Sequence, residues 1–316
     1  MVGRPGGTDR PTVRIWQPES MSPRPQLSIS LRNFSADDPG TWGPLLTTAE
    51  AADRAGVDRV VVVDHVLFGD ALDDYGRPET GGVAGGRQPT GPDGHWLEPL
   101  TVLSVLAGRT SRVRLGTGIL IAALRRPVVL AKTLATLDVL SGGRVDVGVG
   151  VGWQRAEYEA AGLSFEDRGR LLDESLDLCQ RLWREPVVEL DGVGPVHQMP
   201  KPVQDGGVPV WVSGRSTNPR VRSRLARFGS GWIPWGDDAA DPAPGIALLR
   251  QAMDDAGRSA DALSVAGTLP KDLARIGELV EAGVTDFRVR GALPDDPAEL
   301  EDHLGATVAA FRAEVG

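Results

Sequence analysis

Residues 112–153 read RVRLGTGILIAALRRPVVLAKTLATLDVLSGGRVDVGVGVGW. Two β-branched runs, residues 113–115 and 145–151, each close in alternating glycines: Gly116-Thr117-Gly118 and Gly148-Val149-Gly150-Val151-Gly152. Between them, residues 128–140 carry apolar side chains at helical spacing, so the stretch reads as strand, helix, strand. Glycine weakens a strand and has no side chain to pack. It is tolerated where a second backbone or a ligand must come very close. In a parallel α/β fold that strand end is where ligands bind, so the stretch predicts a cofactor face.

Outward from this unit the same alternation continues. Strands are expected over residues 27–31, 59–63, 208–213, 231–234, 262–266 and 284–289, the one at 262–266 having the weakest pattern. Helices are expected over 41–55, 97–108, 168–183, 219–228, 244–256, 271–282 and 297–314. Eight strand–helix repeats in about 290 residues predict an α/β fold, a (β/α)8 TIM barrel forming a single domain over residues 27–316. A doubly wound parallel sheet is the alternative. Two inserts interrupt the pattern. An extended loop after strand 2, residues 68–96, is rich in Gly, Pro and Asp and is expected to overhang the C-terminal face. A small hairpin insert before strand 5, residues 186–196 turning at Asp191-Gly192, is expected to cover part of the same mouth.

Bulk properties exclude several classes. The chain has 316 residues, 41% hydrophobic and 24% charged, which suits a soluble globule with a sizeable core. A formal net charge of −9 argues against a nucleic-acid partner. No segment approaches the ~18 apolar residues of a membrane span. Residues 1–26 are rich in Pro, Gly and Arg without an apolar core, which predicts a disordered tail and no signal peptide; Met21 is a second candidate start of translation. The one cysteine, Cys179, permits no internal disulfide, which suits a cytoplasmic protein. It lies in a helical pattern with Leu172, Leu178 and Leu182 and reads as core.

The strand ends hold the candidate site. Asp64 and His65 follow the apolar run Val60–Val63, where a carboxylate and an imidazole must be satisfied to be kept; the alternative is a capping Asp beside a half-exposed His. Gly118 and Ile119 mark either a simple bend or a backbone pressed against a planar ring. Gly150, Val151, Gly152 and Trp153 close strand 4. Ser213, Gly214 and Arg215 precede a helix and offer an anion site, or else the helix is merely capped by Ser216, Thr217 or Asn218. Trp96 and Trp235 are the tryptophans best placed for a substrate pocket, with Trp153 and Trp232 as further candidates. Arg288 and Arg290 end strand 8. Arg144, before strand 4, falls on the opposite face and reads as structural. No His/Cys cluster has metal spacing, and neither a nucleophile elbow nor a Walker loop is present. The run G-V-G-V-G-W departs from a dinucleotide fingerprint, lacking its third glycine in register.

These residues resemble the luciferase-like monooxygenase superfamily, in particular its actinobacterial coenzyme F420-dependent oxidoreductases. The matching text is VVVVDHV, WLEPL, RVRLGTGIL, RRPVVLAKTLATLDVLSGGR, VGVGVGWQRAEYEAAG, PVWVSG and GSGWIPW. The resemblance implies the same barrel, with Asp64 and His65 contacting a deazaflavin and His65 as the catalytic acid/base. It implies a non-prolyl cis peptide at Gly118–Ile119 behind the ring. Phosphate and ring contacts would fall on Gly150–Trp153 and on Ser213, Gly214 and Arg215. Some sugar-phosphate dehydrogenases of this group carry a glutamate where Trp153 stands, so one proton-transfer group is missing here. The implied activity is F420-dependent hydride transfer to or from a small organic substrate. Two alternatives remain: an FMN-dependent monooxygenase with a partner flavin reductase, and a flavin-binding protein without turnover. A homodimer is the family expectation.

Overall fold

Eight parallel strands close into a barrel: β1 (Gln26–Ser30), β2 (Arg59–Val62), β3 (Arg114–Thr117), β4 (Val145–Val149), β5 (Val210–Gly214), β6 (Gly231–Pro234), β7 (Ser264–Thr268) and β8 (Asp286–Val289). This computed structural model describes residues 24–316; the expected tail, apart from its last three residues, and Met21 lie outside the described residues. β1 pairs with β8 on one side (Leu27 beside Phe287) and with β2 on the other (Ile29 beside Val60), so the sheet has no edge. Helices α1 (Gly43–Ala55), α2 (Pro99–Arg109), α3 (Pro127–Ser141), α4 (Arg155–Ala160), α5 (Arg168–Arg184), α6 (Pro219–Phe228), α7 (Ala243–Asp255), α8 (Ile276–Ala282) and α9 (Pro297–Val315) surround it.

Local chemistry sets the boundaries. α3 starts at Pro127, whose fixed φ suits a first helical position, and stops at left-handed Gly142. β4 ends at Val149, two residues before the apolar run does, because the Gly150 N–H turns to the Leu120 carbonyl in the loop after β3. β7 starts two residues later than expected, since Ala260–Ala262 form a short 3-10 turn.

The two ends of the barrel differ. At the N-terminal end the polar interior is saturated. Arg59 binds Asp146 (3.0 Å) and Asp286, Arg114 binds Asp146 through two nitrogens (2.5 and 2.7 Å), and Ser28 donates to Asp286 (2.6 Å). Arg144 donates to the carbonyls of Ser141, Val113, Ala107 and Thr110, a structural role at this face. Cys179 is buried among leucines, and burial pushes its thiol up to about 12. Among the described residues no helix is long and apolar enough to cross a membrane.

The hairpin insert departs from expectation. Val188–Leu190 pairs with Gly194–Val196, but none of residues 186–208 reaches the mouth. The segment leads into the N-terminal end of β5 and lies on α3 and α5: Gln198 donates to Val128 O, and Lys201 donates to Leu182 O and Glu185 O. The loop over residues 68–96 does overhang the C-terminal face. His95–Trp96 pairs with Phe34–Ser35 in a two-stranded ribbon that anchors its end.

Candidate active site

A cavity of about 670 Å³ opens at the C-terminal strand ends, a size typical of cofactor and substrate sites. All of the strand-end residues assigned to the site lie on its wall: Asp64 and His65, Gly118 and Ile119, Gly150 to Trp153, and Ser213 to Arg215, with Trp96 and Trp235. One expectation needs correction, and one alternative is met. Trp232 is core, with no exposed surface and its indole N–H donating to Gly214 O. α6 is capped by Asn218, whose side chain accepts from the Arg220 N–H (3.0 Å), although Asn218 also lines the cavity.

The wall between β3 and β4 shows what the glycines are for. The Gly118–Ile119 peptide is cis. Leu120 N–H donates to Gly148 O (2.7 Å) and Gly150 N–H donates back to Leu120 O (3.1 Å), stitching the loop after β3 onto β4. A Cβ on Gly148 would collide with Thr117 O, and one on Gly150 would stand 2.9 Å from the Ile119 side chain. The glycines thus admit the chain's own bulge, and residues 150–152 line the cavity beside it.

His65 is held from behind. Its Nδ1 lies 3.2 Å from Glu157 Oε1, which also accepts the Val66 N–H at 2.7 Å. The Glu157 side chain has no exposed surface and the His65 ring only 10%. Oε1 already accepts the Val66 N–H, so an Nδ1–H donating to it completes this pair of bonds and would leave Nε2 for a ligand. Phe68, Trp96 and Trp153 enclose the ring, with centroids 4.6, 4.9 and 5.7 Å away. Asp64 is equally constrained. Its buried carboxylate accepts from Ile121 N–H (2.8 Å) and from both terminal nitrogens of Arg125 (2.5 and 3.0 Å). Burial opposes the Arg125 charge, but Asp64 and Glu98 outweigh it and raise the guanidinium above its ordinary range. The carboxylate therefore fixes the loop that follows the bulge.

The remaining wall is cationic. Arg168, Arg220 and Arg224 converge where α5 and α6 begin; a Cβ on Gly169 would be 3.6 Å from Arg220 and 3.7 Å from Arg224. Arg224 is paired with Asp173 (2.5 Å). The overhanging loop adds Tyr75 and Gly81–Gly82. Trp235 donates to the Gly81 and Gly82 carbonyls (3.2 and 3.3 Å), and Tyr75 meets Trp153 edge-on at 5.4 Å. Among the described residues no group of three His, Cys, Asp or Glu is arranged to hold a metal ion. Glu157 and Arg125 were not singled out from the sequence. The only mark Glu157 carries there is its place four residues past Trp153, one helical turn from the predicted wall.

Comparison with known proteins bears on the family and the fold. A protein of Mycobacterium tuberculosis described as uncharacterized is 36% identical over 222 residues, 67% of this chain and 77% of its own. The F420-dependent glucose-6-phosphate dehydrogenase of the same organism is 31% identical over 201 residues, 60% of this chain and 52% of its own. The structure of an F420-dependent secondary alcohol dehydrogenase with an F420-acetone adduct superposes with a TM-score of 0.67 at 18% identity, over 92% of this chain and 99% of that one. The family pattern described as luciferase-like monooxygenase matches residues 26–292. The chain belongs to the luciferase-like monooxygenase family, whose members are oxidoreductases.

Proposed function

We propose that the chain is a coenzyme F420-dependent oxidoreductase that moves a hydride between the deazaflavin and a small organic substrate, with His65 as the proton partner. The observation that carries this reading is the oriented His65, the only histidine lining the cavity among the described residues. Hydride transfer at a carbon bearing oxygen needs a proton taken from or given to that oxygen. An imidazole with Nδ1–H held by Glu157 presents Nε2 for that purpose. Trp153 fills the place of a glutamate with an indole, so His65 acts without a second carboxylate.

The residues fit such a cofactor. The backbone of Gly150 to Gly152, Ile119 and the surrounding aromatics form apolar walls for a flat ring. The indole Nε1 of Trp153 and Nε of Arg168 are buried donors without a protein acceptor. Donors left unmatched beside a cavity suit a ligand rich in carbonyl and phosphate oxygens. The phosphate would rest on Ser213, Gly214, Arg215 and Arg220 at the start of α6. Asp64 acts through the Ile121 loop that it fixes. The hydride chemistry itself belongs to the bound cofactor, at C5 of the deazaflavin.

The family name favours a second reading, an FMN-dependent monooxygenase supplied by a separate reductase. Titration with each cofactor separately decides between them. Tight binding of FMN with none of F420 refutes the first reading. A homodimer is also proposed: Val129, Leu140 and Met199 are 59%, 71% and 66% exposed on and beside the outer face of α3.

A further inference from the structure

The cavity contains more positive charge than one cofactor tail uses. Arg288 extends from β8 across the barrel lumen; a Cβ on Gly118 would be 3.2 Å from its Nη1. No hydrogen bond or ion pair engages its guanidinium among the described residues, and its Nε is buried without a partner. The nearest acid, Asp286, is already bound by Arg59 and Ser28. Burial holds the Arg288 guanidinium below its ordinary range; Asp286 offsets part of this, while Arg59 and Arg290 add to it. Arg290 also lines the cavity, close enough to the Tyr75 hydroxyl of the overhanging loop for its charge to act there.

The arginines of the N-terminal end look different. Arg59, Arg114 and Arg144, at the other end, are each saturated by carboxylates or carbonyls. Arg288 is half-buried, its Nε shielded and no carboxylate or carbonyl on its guanidinium, so a side chain that is always charged is placed there to meet an anion that arrives. The patch at α5 and α6 (Arg168, Arg220, Arg224) is a different wall from Arg288 and Arg290, so a cofactor phosphate on the first leaves the second free. The carboxylates on the cavity wall do not neutralise it: Asp64 is bound to Arg125, and Glu166 to Arg155.

We propose that the substrate carries an anionic end, a carboxylate or a phosphate, and that Arg288 and Arg290 seat it in the cavity that contains His65. This rests on the oxidoreductase reading, and it makes specificity a matter of charge: a chain with a net charge of −9 presents its substrate with a cationic pocket.

The test is calorimetric titration of the full chain, free and saturated with whichever of F420 or FMN it binds. The probes are inorganic phosphate, butyrate and the uncharged butanol. We expect at least one anion to bind the loaded chain and butanol to bind at least tenfold more weakly. Arg288→Gln and Arg290→Gln should each weaken the anion tenfold or more, Arg288→Lys less. Arg220→Gln should leave it unchanged while weakening the cofactor. Removing a charge that no protein group pairs should not lower the melting temperature, and Arg290→Gln, at an exposed position, repeats the test independently of folding. The proposal is overturned if neither anion binds the loaded chain, if both glutamine variants bind it as the parent does, or if only Arg220→Gln abolishes binding. It is also overturned if Arg288→Gln weakens the cofactor and not the anion, which would assign Arg288 to the ring. Failure of both cofactors to bind refutes the oxidoreductase reading separately, and the free-chain titration still reports on the anion.

Discussion

Substituting Glu157 by Gln probes the site at its least conspicuous residue. The change keeps the shape and an oxygen able to accept from Val66 N–H and from His65, but it removes the charge. A hydrogen bond to a charged group contributes about 1.5–3 kcal/mol, against about 0.5–1.5 for a neutral one. The carboxylate therefore biases His65 toward the Nδ1–H form by roughly 10- to 150-fold, and the amide by roughly 2- to 13-fold. The effect grows when the imidazole takes up a proton. Two unit charges at the observed 3.2 Å interact by about 5 kcal/mol at an effective dielectric of ~20. Spreading each charge over a ring and a carboxylate roughly halves this, leaving about 2–2.7 kcal/mol, or 30- to 100-fold in a rate limited by proton transfer. Long-range ¹H–¹⁵N NMR reads the tautomer without any substrate, and with four histidines in the chain a His65→Asn variant assigns the signal. We expect Nδ1–H in the parent and a mixture in Glu157→Gln. With a turned-over substrate, kcat should fall 30- to 100-fold while cofactor affinity stays within about twofold. An Nε2–H tautomer in the parent, or an unchanged kcat, would refute the reasoning.

Three further outcomes follow from the same contacts. Arg125→Met strands the buried Asp64 carboxylate and should lower stability by about 3–5 kcal/mol in urea unfolding, with Asp64→Asn added to it recovering more than half; a loss under 1 kcal/mol would mean that the pair is not what holds the loop. Gly150→Ala drives a methyl against Ile119 and should cost about 1–3 kcal/mol and loosen cofactor binding at least tenfold, whereas unchanged binding would separate the bulge from the ring site. For Cys179, whose folded thiol is raised from the ordinary 9.0 to about 12, the stabilisation is fully present below pH 9 and disappears as pH rises toward 12, about 4 kcal/mol in all. Cys179→Ala should flatten stability over that window, and the parent thiol should resist alkylation at pH 8 until the chain is unfolded.

The barrel and most of the cavity wall were legible in the sequence because both follow from local pattern. β-branched runs and helical spacing identify the strands and helices, and the strand ends of a barrel lead to one face whatever the side chains are. What stayed hidden depends on partners distant in the chain. Glu157 meets a histidine 92 residues away, from a six-residue helix too short to show a period. Arg125 meets Asp64 across 61 residues. The hairpin insert misled because composition does not say which end of a strand a loop lies at, whereas its position before β5 does.

Trp232 and Trp235 show that some of the missing information was present in the chain. β6 alternates its faces, so residues two apart share one side. Ile233 lines the cavity, as do Pro234 and Trp235 where the strand ends, whereas Trp232, inside the strand and one position off Ile233, is buried beneath Gly214. The same alternation separates Arg288 from Phe287 on β8: Phe287 packs outward against Phe311 of α9 at 5.5 Å, which leaves Arg288 for the lumen. Parity within a strand thus separates core from lumen, as for Trp232 against Ile233 and Phe287 against Arg288, while past the strand ends consecutive residues reach the ligand face.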